Sequence, residues 1–550
     1  MHVADHGASL SSEVAVRVVL LVLLVLCGYR YVKPGPSRRL PPLVPSSAFI
    51  PYVGSAVQLS RAPLRFLREC HEKYGGPFRV RLMGKDMVIV VGRDDFAPVV
   101  RNKALSFMPA SEEIMVNMFQ CDTMVPEMRG QDADGNPVDA AHPDTLWHRT
   151  HGQYGTCLRN RDAVADLTER SFGRLKRSLM RLAPGREADL PEKVDLFSWT
   201  QKFVFDAVLH TIFGDCDGLG TSEEVRALFD EFDDAFPILG AGLPSFLTRL
   251  AAGKQLAAYE TLVTRWQRMI LDRDEQGMRD ASKLMSERNG FFQRQFNYST
   301  GSNGKVQARG ALIQAKFHMS LLFGGYANTA PSMFWLLYYL ARDSNAWQAI
   351  YEEVQRELPS VPLDGTDGDS IRWSSEDLDR LKLMDSAITE TLRLANGASA
   401  QRIATTDTTV TFGEGASART YDFPAGQNVL LVGIRGARAN DEVDDEEIDG
   451  DGDKFRFDRY ASGKPPSGAR HVTPFGAGAS MCPGRFWARN VLKTALALVM
   501  TAINRIDLDH AAGDVAPDFD VSRIFFGVYR PVGDVPAKLH WRTPANAAAR

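Results

Sequence analysis

The sequence predicts a mainly helical protein with small β-sheets, preceded by a single N-terminal transmembrane helix. Residues 311–340 are apolar on most faces of a helix, a pattern typical of a helix inside a core. Residues 14–32 form an apolar run that is just long enough to cross a bilayer. Residues 78–92 alternate and are rich in valine, which predicts a β-hairpin that turns at residues 84–86.

Length and composition exclude several classes of protein. The chain has 550 residues, of which 44% are hydrophobic, so it can bury a large core. Its net charge of -4 gives no indication of nucleic-acid binding. The six cysteines are scattered without a CxxC pair, so neither a disulfide framework nor a zinc site is indicated. A reducing compartment fits this cysteine usage best.

The N-terminal apolar run predicts the domain organisation. Residues 1–13 would form a short tail, 14–32 the transmembrane anchor and 33–50 a proline-rich hinge. Residues 51–542 would form the main domain, and 543–550 a loose tail. A cleaved signal peptide is the alternative, but no small-x-small cleavage site follows the run. Because the basic residues lie after the run, the positive-inside rule places the main domain in the cytosol. These basic residues are Arg30, Lys33, Arg38 and Arg39.

Further elements follow along the chain. Residues 159–182 have a helical pattern, and residues 222–275 hold two more helices around the apolar turn 236–240. Apolar residues also recur at helical spacing from Leu378 to Leu392. Residues 282–310 are polar and predict an exposed loop, whereas the acidic residues 441–453 predict a solvated one.

One cysteine, Cys482, lies between a glycine-rich turn and the start of an apolar helix. Gly476 and Gly478 allow a tight loop, and Pro483 fits the first turn of the helix. A thiolate here would face free backbone N–H groups and the positive end of the helix. Both favour the ionised sulfur, which is the form that binds a metal. An isolated cysteine is more often a buried structural residue, so the interpretation depends on partners elsewhere in the chain.

This stretch resembles the cysteine-ligand loop of the cytochrome P450 family, whose pattern is Phe-x-x-Gly-x-x-x-Cys-x-Gly. Phe475, Gly478, Cys482 and Gly484 meet that pattern. The resemblance implies the cytochrome P450 fold and a bound haem b, with Cys482 as the axial ligand of its iron. It also implies electrons from NADPH through a separate reductase, since the chain has no flavin or nicotinamide motif.

A second motif of the same family lies in the helix around Leu392. Glu390 and Arg393 are three residues apart and share one helix face, which alone is usually a surface pair of little energetic value. In the family this pair is buried and joined by a later arginine. Arg459 holds the matching position here. The resemblance therefore implies a structural network that fixes the loop of Cys482.

The long apolar helix contains Gly-Gly-Tyr-Ala-Asn-Thr-Ala-Pro at residues 324–331. Pro331 removes a helix hydrogen bond, and Thr329 can bond back to a freed carbonyl. A packing kink is one interpretation. The resemblance implies instead a groove for dioxygen, where Thr329 hydrogen-bonds the bound oxygen. Asn328 stands where the family usually has an acid, so proton delivery would run through water.

This stretch, followed by Phe334-Trp335, is similar to the branch that holds sterol 7-alpha-hydroxylases, sterol 12-alpha-hydroxylases and prostacyclin synthase. Arg402 matches a family arginine that serves a haem propionate, and His471 is a weaker candidate. Two positions differ from the family: Ser480 and His151 stand where arginines are usual.

A further basic group lies beside the cysteine loop, on one face of the helix that follows it. Such a face is most often simply solvated, although it could also dock a reductase. Its members are Arg485, Arg489 and Lys493.

The predicted function is a monooxygenase that inserts one oxygen atom from O2 into a lipophilic molecule such as a sterol, terpenoid or polyketide. Apolar residues including Phe236, Leu239 and Phe526 favour such a substrate. The expected partners are NADPH-cytochrome P450 reductase and the endoplasmic reticulum membrane. Two alternatives stay open: a haem-thiolate isomerase or dehydratase that acts on a peroxide without external electrons, and a membrane haem- or lipid-binding protein without turnover. Thr329 favours oxygen activation.

Overall fold

The computed structural model describes residues 39–45, 53–91, 95–131, 134–183, 192–272, 280–296, 304–362, 371–397, 399–433, 454–463, 474–509, 517–525 and 527–542. Helices predominate among these residues and the strands are short, which confirms the expectation of a mainly helical protein with small β-sheets. The chain divides into two compact units: residues 1–104 with 404–430, and residues 105–403 with 431–550.

The first unit contains short helices and antiparallel strands. Its helices are α1 Ala56–Arg61, α2 Pro63–Tyr74 and α3 Phe96–Arg101. Its strands are β1 Phe78–Leu82, β2 Lys85–Val90, β6 Thr408–Phe412, β7 Arg419–Phe423 and the start of β8 Asn428–Val432. β1 pairs with β2, with Leu82 opposite Lys85. The hairpin therefore turns at Met83 and Gly84, both at positive φ, which is one residue earlier than the sequence predicts.

The second unit contains the remaining elements. Its strands are β3 Leu105–Ser106, β4 Glu192–Asp195, β5 Ser399–Ala404, β9 Ile503–Leu508 and β10 Pro536–Trp541. β4, β10 and β9 form a sheet in that order. Its helices are α4 Met108–Asn117, α5 Val125–Arg129, α6 Leu146–Arg159, α7 Arg161–Leu182, α8 Leu196–Phe213, α9 Ser222–Asp233, α10 Phe236–Gly240, α11 Ser245–Leu271, α12 Lys283–Phe296, α13 Gly304–Tyr326, α14 Thr329–Ala341, α15 Ser344–Glu357, α16 Ser375–Asp379, α17 Lys382–Ala395 and α18 Arg485–Ala502.

The core of the second unit surrounds α14. Every residue of α14 from Thr329 to Leu340 is buried, as expected for a helix that is apolar on all faces. α14 packs against α8, α17 and α18. Because α17 carries Glu390 and Arg393 and α18 follows Cys482, the core brings the sequence motifs onto elements that pack together.

The helix predicted over residues 311–340 is divided. α13 ends at Tyr326 and α14 begins at Thr329. Pro331 explains the division, since it has no N–H to donate to the carbonyl of Ala327 four residues earlier. Pro331 lies in the first turn of α14, where a proline is tolerated.

The prediction of a loop over residues 282–310 is wrong for its described part. Residues Lys283–Phe296 form α12, and α13 already begins at Gly304. Leu284, Met285, Phe291 and Phe292 are buried, and they recur every seven residues as on one helix face. Because most residues of the stretch are polar, its composition alone does not indicate this helical spacing of the apolar residues.

Other predicted elements are close to the observed ones. α7 begins at Arg161 because the Asn160 side chain caps it, accepting from the N–H groups of Asp162 and Ala163. α9 and α11 lie on either side of the short α10, as the pattern over residues 222–275 predicts. Within the described residues no helix is long and apolar enough to span a membrane. The expected anchor at 14–32 and the acidic stretch 441–453 lie outside the described residues.

Candidate active site

The loop of Cys482 is held by backbone hydrogen bonds. The N–H of Cys482 donates to the carbonyl of Phe475 at 2.9 Å, and the N–H of Met481 donates to Gly478 at 3.1 Å. From outside the loop, Nδ2 of Asn396 donates to the carbonyl of Pro474 at 3.0 Å. Cys482 itself is an exposed residue. These bonds fix the loop while leaving one side of the cysteine accessible.

Opposing effects act on the pKa of the Cys482 thiol. Desolvation raises the pKa of the Cys482 thiol, and it outweighs the backbone N–H groups of Gly484 and Arg485 that lower it. The charges of Arg485 and Arg159 also lower this pKa. The start of α18 therefore lowers the pKa of the thiol, as the sequence predicts, but does not by itself bring it below its usual value. Coordination to a metal ion would deprotonate the thiol. Arg159, at the end of α6, is a contributor that sequence reasoning missed.

Glu390, Arg393 and Arg459 meet in one buried network. Nε and Nη2 of Arg393 donate to the two carboxylate oxygens of Glu390 at 2.8 and 2.9 Å. Nε of Arg459 donates to Glu390 Oε1 at 3.0 Å, and so does the N–H of Arg456, at 3.1 Å. The Glu390 side chain is 0% exposed, and so is that of Arg459. Although desolvation opposes it, Glu390 raises the pKa of Arg393, so the arginine stays charged.

The network joins α17 to residues 454–463. Beside it, the N–H of Tyr460 donates to Ser386 Oγ at 2.8 Å. The ring of Phe455 stacks on Tyr339 of α14, with centroids 5.0 Å apart. The segment that carries Arg459 is therefore fixed to two core helices.

The break between α13 and α14 lies next to the helix that follows the cysteine. The hydroxyl of Thr329 donates to the carbonyl of Gly325 at 2.7 Å. A Cβ on Gly325 would lie 2.9 Å from Ile212 and 3.7 Å from Trp487, the third residue of α18. A side chain at residue 325 would therefore force Ile212 of α8 to shift, whereas its distance from Trp487 would be an ordinary van der Waals contact. The chain thus brings the Thr329 motif and the Cys482 motif into one region.

One face of α13 is accessible, although most of the helix is buried. Gly324 is exposed, and nothing lies within 4 Å of the position that a Cβ would take. Ser320 and Asn328 are half-buried. Ser320 and Gly324 are four positions apart and share one face of α13, and Asn328 comes four positions later, in the break after the helix; these three residues are here called the accessible face.

Asn328 has a contact that the sequence does not indicate. Its Oδ1 accepts from the backbone N–H of Val528 at 2.9 Å. A Cβ on Gly527 would lie 1.8 Å from the same oxygen, so the amide rests directly on the backbone of Gly527. The amide oxygen of Asn328 therefore already accepts a protein hydrogen bond, and binding water is not its only role.

The predicted propionate partners differ in their surroundings. Arg402 is buried, and within the described part of the chain its hydrogen bonds go to the carbonyls of Gln401 and Ala477. Desolvation lowers the pKa of Arg402. Desolvation also lowers the pKa of His151, helped by Arg159 and His148, which favours the neutral ring. His471 lies outside the described residues, and Ser480 follows Gly478 in a short helical turn.

The basic face of α18 is not simply solvated. Arg489 and Lys493 both contact Asp385 of α17, at 3.1 and 3.0 Å. The Lys493 side chain is only 6% exposed. Arg485 bonds back to the carbonyl of Cys482 at 3.0 Å. Much of this face therefore serves packing between α17 and α18.

Of the residues that favour a lipophilic substrate in the sequence, Phe236 belongs to a packed aromatic cluster. Phe236 is 0% exposed, and its ring stacks on Phe323 with centroids 4.2 Å apart. Phe119 contacts Phe236 edge-on. Leu239 is buried as well, whereas Phe526 lies outside the described residues.

Comparison with known proteins decides the family. The sequence model described as Cytochrome P450 matches residues 44–126 and 164–504. The chain belongs to the cytochrome P450 family. Cytochrome P450 7B1 of Mus musculus is 27% identical, over 90% of this chain and 89% of its own length. Cytochrome P450 7A1 of Oryctolagus cuniculus is 26% identical, over 92% and 94% respectively. The 5-beta-cholestane-3-alpha,7-alpha-diol 12-alpha-hydroxylase of Sus scrofa is 24% identical, over 95% and 98%.

Membership of this family makes the protein a haem-thiolate monooxygenase that works with a redox partner, and confirms the resemblance seen in the motifs. Three features of this cytochrome P450 fit haem b. Cys482 is an exposed residue that supplies a sulfur, and Gly324 leaves an uncovered stretch on the accessible face of α13. Arg402 supplies a buried positive charge that bonds to carbonyls among the described residues, which suits the carboxylate of a propionate.

Proposed function

We propose that this cytochrome P450 hydroxylates a sterol or a similar lipophilic molecule, with Cys482 as the axial ligand of the haem iron. Haem ligated by a thiolate supplies the oxidising power that splits O2 and inserts one oxygen atom into a C–H bond. The other atom leaves as water, so the site must take up electrons and protons from outside. The residues around the break between α13 and α14 would control the protons.

The observation that carries the proposal is the position of Thr329. Its hydroxyl donates to the Gly325 carbonyl at 2.7 Å, which fixes the oxygen at the helix break. A hydroxyl that donates one hydrogen bond still has lone pairs that can accept from a water molecule. Thr329 would thus hold the water that delivers protons. Asn328 cannot release a proton readily, and its oxygen already accepts from Val528, so the donor would be water.

The substrate class is supported by the names of the relatives. They include the Cholesterol 7-alpha-monooxygenase of Cricetulus griseus and the 25-hydroxycholesterol 7-alpha-hydroxylase of Rattus norvegicus. A site for such a molecule is mostly apolar with few polar groups. The accessible face offers Gly324, which leaves room for a bulky ring system, beside the single amide of Asn328.

The electrons would come from NADPH-cytochrome P450 reductase at the endoplasmic reticulum membrane. Residues 14–32 would anchor the enzyme, with the catalytic domain at 51–542 in the cytosol. This orientation follows from the basic residues after the apolar run. Protease added outside sealed microsomes should digest the catalytic domain. Protection of that domain would show that the orientation is reversed.

Reconstitution tests the reaction itself. The full-length haem-loaded enzyme, with reductase and NADPH, would be incubated with sterols under labelled O2. We expect a hydroxylated product carrying one labelled oxygen, and no product without NADPH. A substrate-induced shift of the haem spectrum would select the sterols to test. Turnover of a sterol peroxide without NADPH would identify an isomerase instead, and haem binding without any turnover would identify a binding protein.

A further inference from the structure

Asn328 holds a stretch of backbone from the C-terminal part of the chain. This C-terminal segment is residues 523–525 and 527–530. Asn328 Oδ1 accepts from the N–H of Val528 at 2.9 Å, and Gly527 has φ +133, where other residues are strained. A side chain at Gly527 would collide with the Asn328 amide, whose oxygen lies 1.8 Å from the Cβ position. The two residues are thus matched to each other.

The opposite side of the C-terminal segment is held by the connection after α17. The N–H of Gly397 donates to Gly527 at 2.9 Å, and the N–H of Phe525 donates to Gly397 at 3.0 Å. The N–H of Tyr529 donates to Ala395 at 2.9 Å. Val528 turns its own N–H the other way, towards Asn328. Without the Asn328 acceptor, that N–H would lose its partner.

Both ends of the segment reach one buried carboxylate. Asp233, the last residue of α9, is 0% exposed. Nη2 of Arg523 donates to Asp233 Oδ1 at 2.7 Å, and Arg530 donates to its Oδ2. Arg530 also donates to Asp234 at 2.8 Å. The ends are thus fixed by charge, whereas the middle is held by neutral bonds: backbone bonds to the connection after α17 on one side, and the bond from Val528 to Asn328 on the other.

The middle of the segment borders the accessible face. Val528, Phe525 and Asn328 are all half-buried, whereas their neighbours Tyr529 and Thr329 are buried. A molecule lying along the accessible face would therefore meet both the Asn328 amide and the segment that it holds. A change in the position of Val528 would change the surface that this molecule contacts.

We propose that Asn328 is a positioning residue, which holds the C-terminal segment against the break between α13 and α14 and thereby sets the orientation of the substrate. An amide suits this task because it accepts the Val528 N–H while staying neutral at every pH. Protons then come from water held by Thr329. The inference rests on the proposed function only where substrate is involved, because the hydrogen bond itself can be followed without substrate.

Hydrogen exchange on the substrate-free, haem-loaded enzyme tests the contact. Asn328→Ala removes the acceptor, and loss of a partner for a backbone N–H predicts about fivefold or faster exchange in peptides covering residues 527–531. Asn328→Asp keeps an oxygen acceptor and should exchange as the wild type does. Ser332→Ala is the matched control, since the Ser332 hydroxyl bonds to the Asn328 backbone carbonyl rather than to the segment. Unchanged exchange in Asn328→Ala would overturn the proposal.

A second variant reaches the contact from the other side. Gly527→Ala places a methyl group where Asn328 Oδ1 lies, so it should speed exchange in the same peptides without altering residue 328. Wild-type exchange in this variant would contradict the close contact. Because this test needs no substrate, its outcome is independent of whether sterols are turned over.

Turnover then separates positioning from proton delivery. With a sterol substrate, Asn328→Ala should raise KM more than it lowers kcat and should change the ratio of hydroxylation positions. Asn328→Asp should restore the wild-type ratio. If Asn328→Ala leaves that ratio unchanged and instead releases more hydrogen peroxide per NADPH, Asn328 acts in proton delivery and the positioning role is wrong. If no sterol is hydroxylated, the proposed function fails while the exchange result still judges the contact.

Discussion

The two polar regions of the catalytic core are built in opposite ways. On the cysteine side, Glu390, Arg393 and Arg459 are charged, buried and bonded to one another. At the break between α13 and α14, Thr329 and Asn328 are neutral and bond to backbone groups. The first region keeps its groups inside a closed network, whereas the second leaves one helix face accessible.

The difference teaches which changes affect folding and which affect chemistry. A buried carboxylate that balances two arginines cannot be removed without leaving uncompensated charge, so the cysteine side should fail by losing stability. A neutral hydroxyl or amide near an accessible face can be removed at lower cost, so the helix break should fail by losing control of the reaction. Variants in the two regions can test whether they lose stability or control of the reaction.

The largest effect is expected at Cys482, the proposed iron ligand. Cys482→His should abolish hydroxylation, because an imidazole donates less electron density to iron than a thiolate. The reduced carbonyl complex should lose the long-wavelength absorption typical of thiolate haem. Cys157→Ser is the control: the Cys157 thiol is buried and donates to Glu287 at 3.0 Å, a bond that a hydroxyl can replace. If Cys482→His kept the long-wavelength band, the ligand assignment would be wrong.

Glu390→Ala should destabilise the cysteine side most strongly. Removing the carboxylate leaves Arg393 and Arg459 buried without their shared partner, at a cost of roughly 3–5 kcal/mol in the free energy of unfolding. We expect little haem-loaded protein, measured as haem per chain and by thermal unfolding. Normal haem content in this variant would show that the cysteine side does not fail by losing stability, contrary to the difference proposed between the two regions.

A surface ion pair provides the matched control for Glu390. Glu376 contacts Arg161 at 2.7 Å, with side chains that are 55% and 80% exposed. Because water already solvates both charges, Glu376→Ala should leave haem content and melting temperature unchanged. A loss comparable to that of Glu390→Ala would show that burial is not what distinguishes the network.

Thr329→Ala should instead leave the fold intact and damage coupling. The variant should bind haem and substrate normally, but release several-fold more hydrogen peroxide per NADPH because water at the helix break is no longer held. Thr329→Ser keeps the hydroxyl and should stay close to the wild type. Peroxide release and product formation measured in the same reaction check this. Unchanged coupling in Thr329→Ala would refute the proton-delivery role.

Sequence motifs predict the cysteine side better than the helix break. Glu390 and Arg393 are three residues apart, which places them on one helix face. Their contact can therefore be predicted from a short stretch of sequence. The contact between Asn328 and Val528 joins residues 200 positions apart, and nothing in either stretch predicts it. The division of the long helix at Ala327 agrees with the kink that Pro331 predicts, since proline leaves that carbonyl without a donor. The roles of Arg159 and Asp385 were missed because their partners, Cys482 and Arg489, lie far from them in the sequence.

The smallest effect is expected at Asp385, which sharpens the contrast within the cysteine side. Burial raises the pKa of Asp385, but the positive charges of Arg489 and Lys493 lower it by a larger amount. The pKa of Asp385 therefore lies below its usual value. A carboxylate with a lowered pKa stabilises the fold at pH values above its unfolded pKa of about 3.9, and that stability is lost as the pH falls through the folded pKa. The Asp385 side chain is 38% exposed, so solvent screens the interaction.

Asp385→Asn should therefore lower the free energy of unfolding by only about 1 kcal/mol at neutral pH. The difference from the wild type should begin to shrink below about pH 3.9, and it should vanish only below the lowered folded pKa of Asp385, where both proteins carry a neutral side chain. Denaturant unfolding of the two proteins at matched haem content, from neutral to acidic pH, measures it. Asp458→Asn is the control, because the Asp458 side chain is 52% exposed and 3.9 Å from Arg456. A difference that persists unchanged into acid would mean that Asp385 contributes through packing rather than charge, and that only the fully buried Glu390 network works electrostatically on this side of the core.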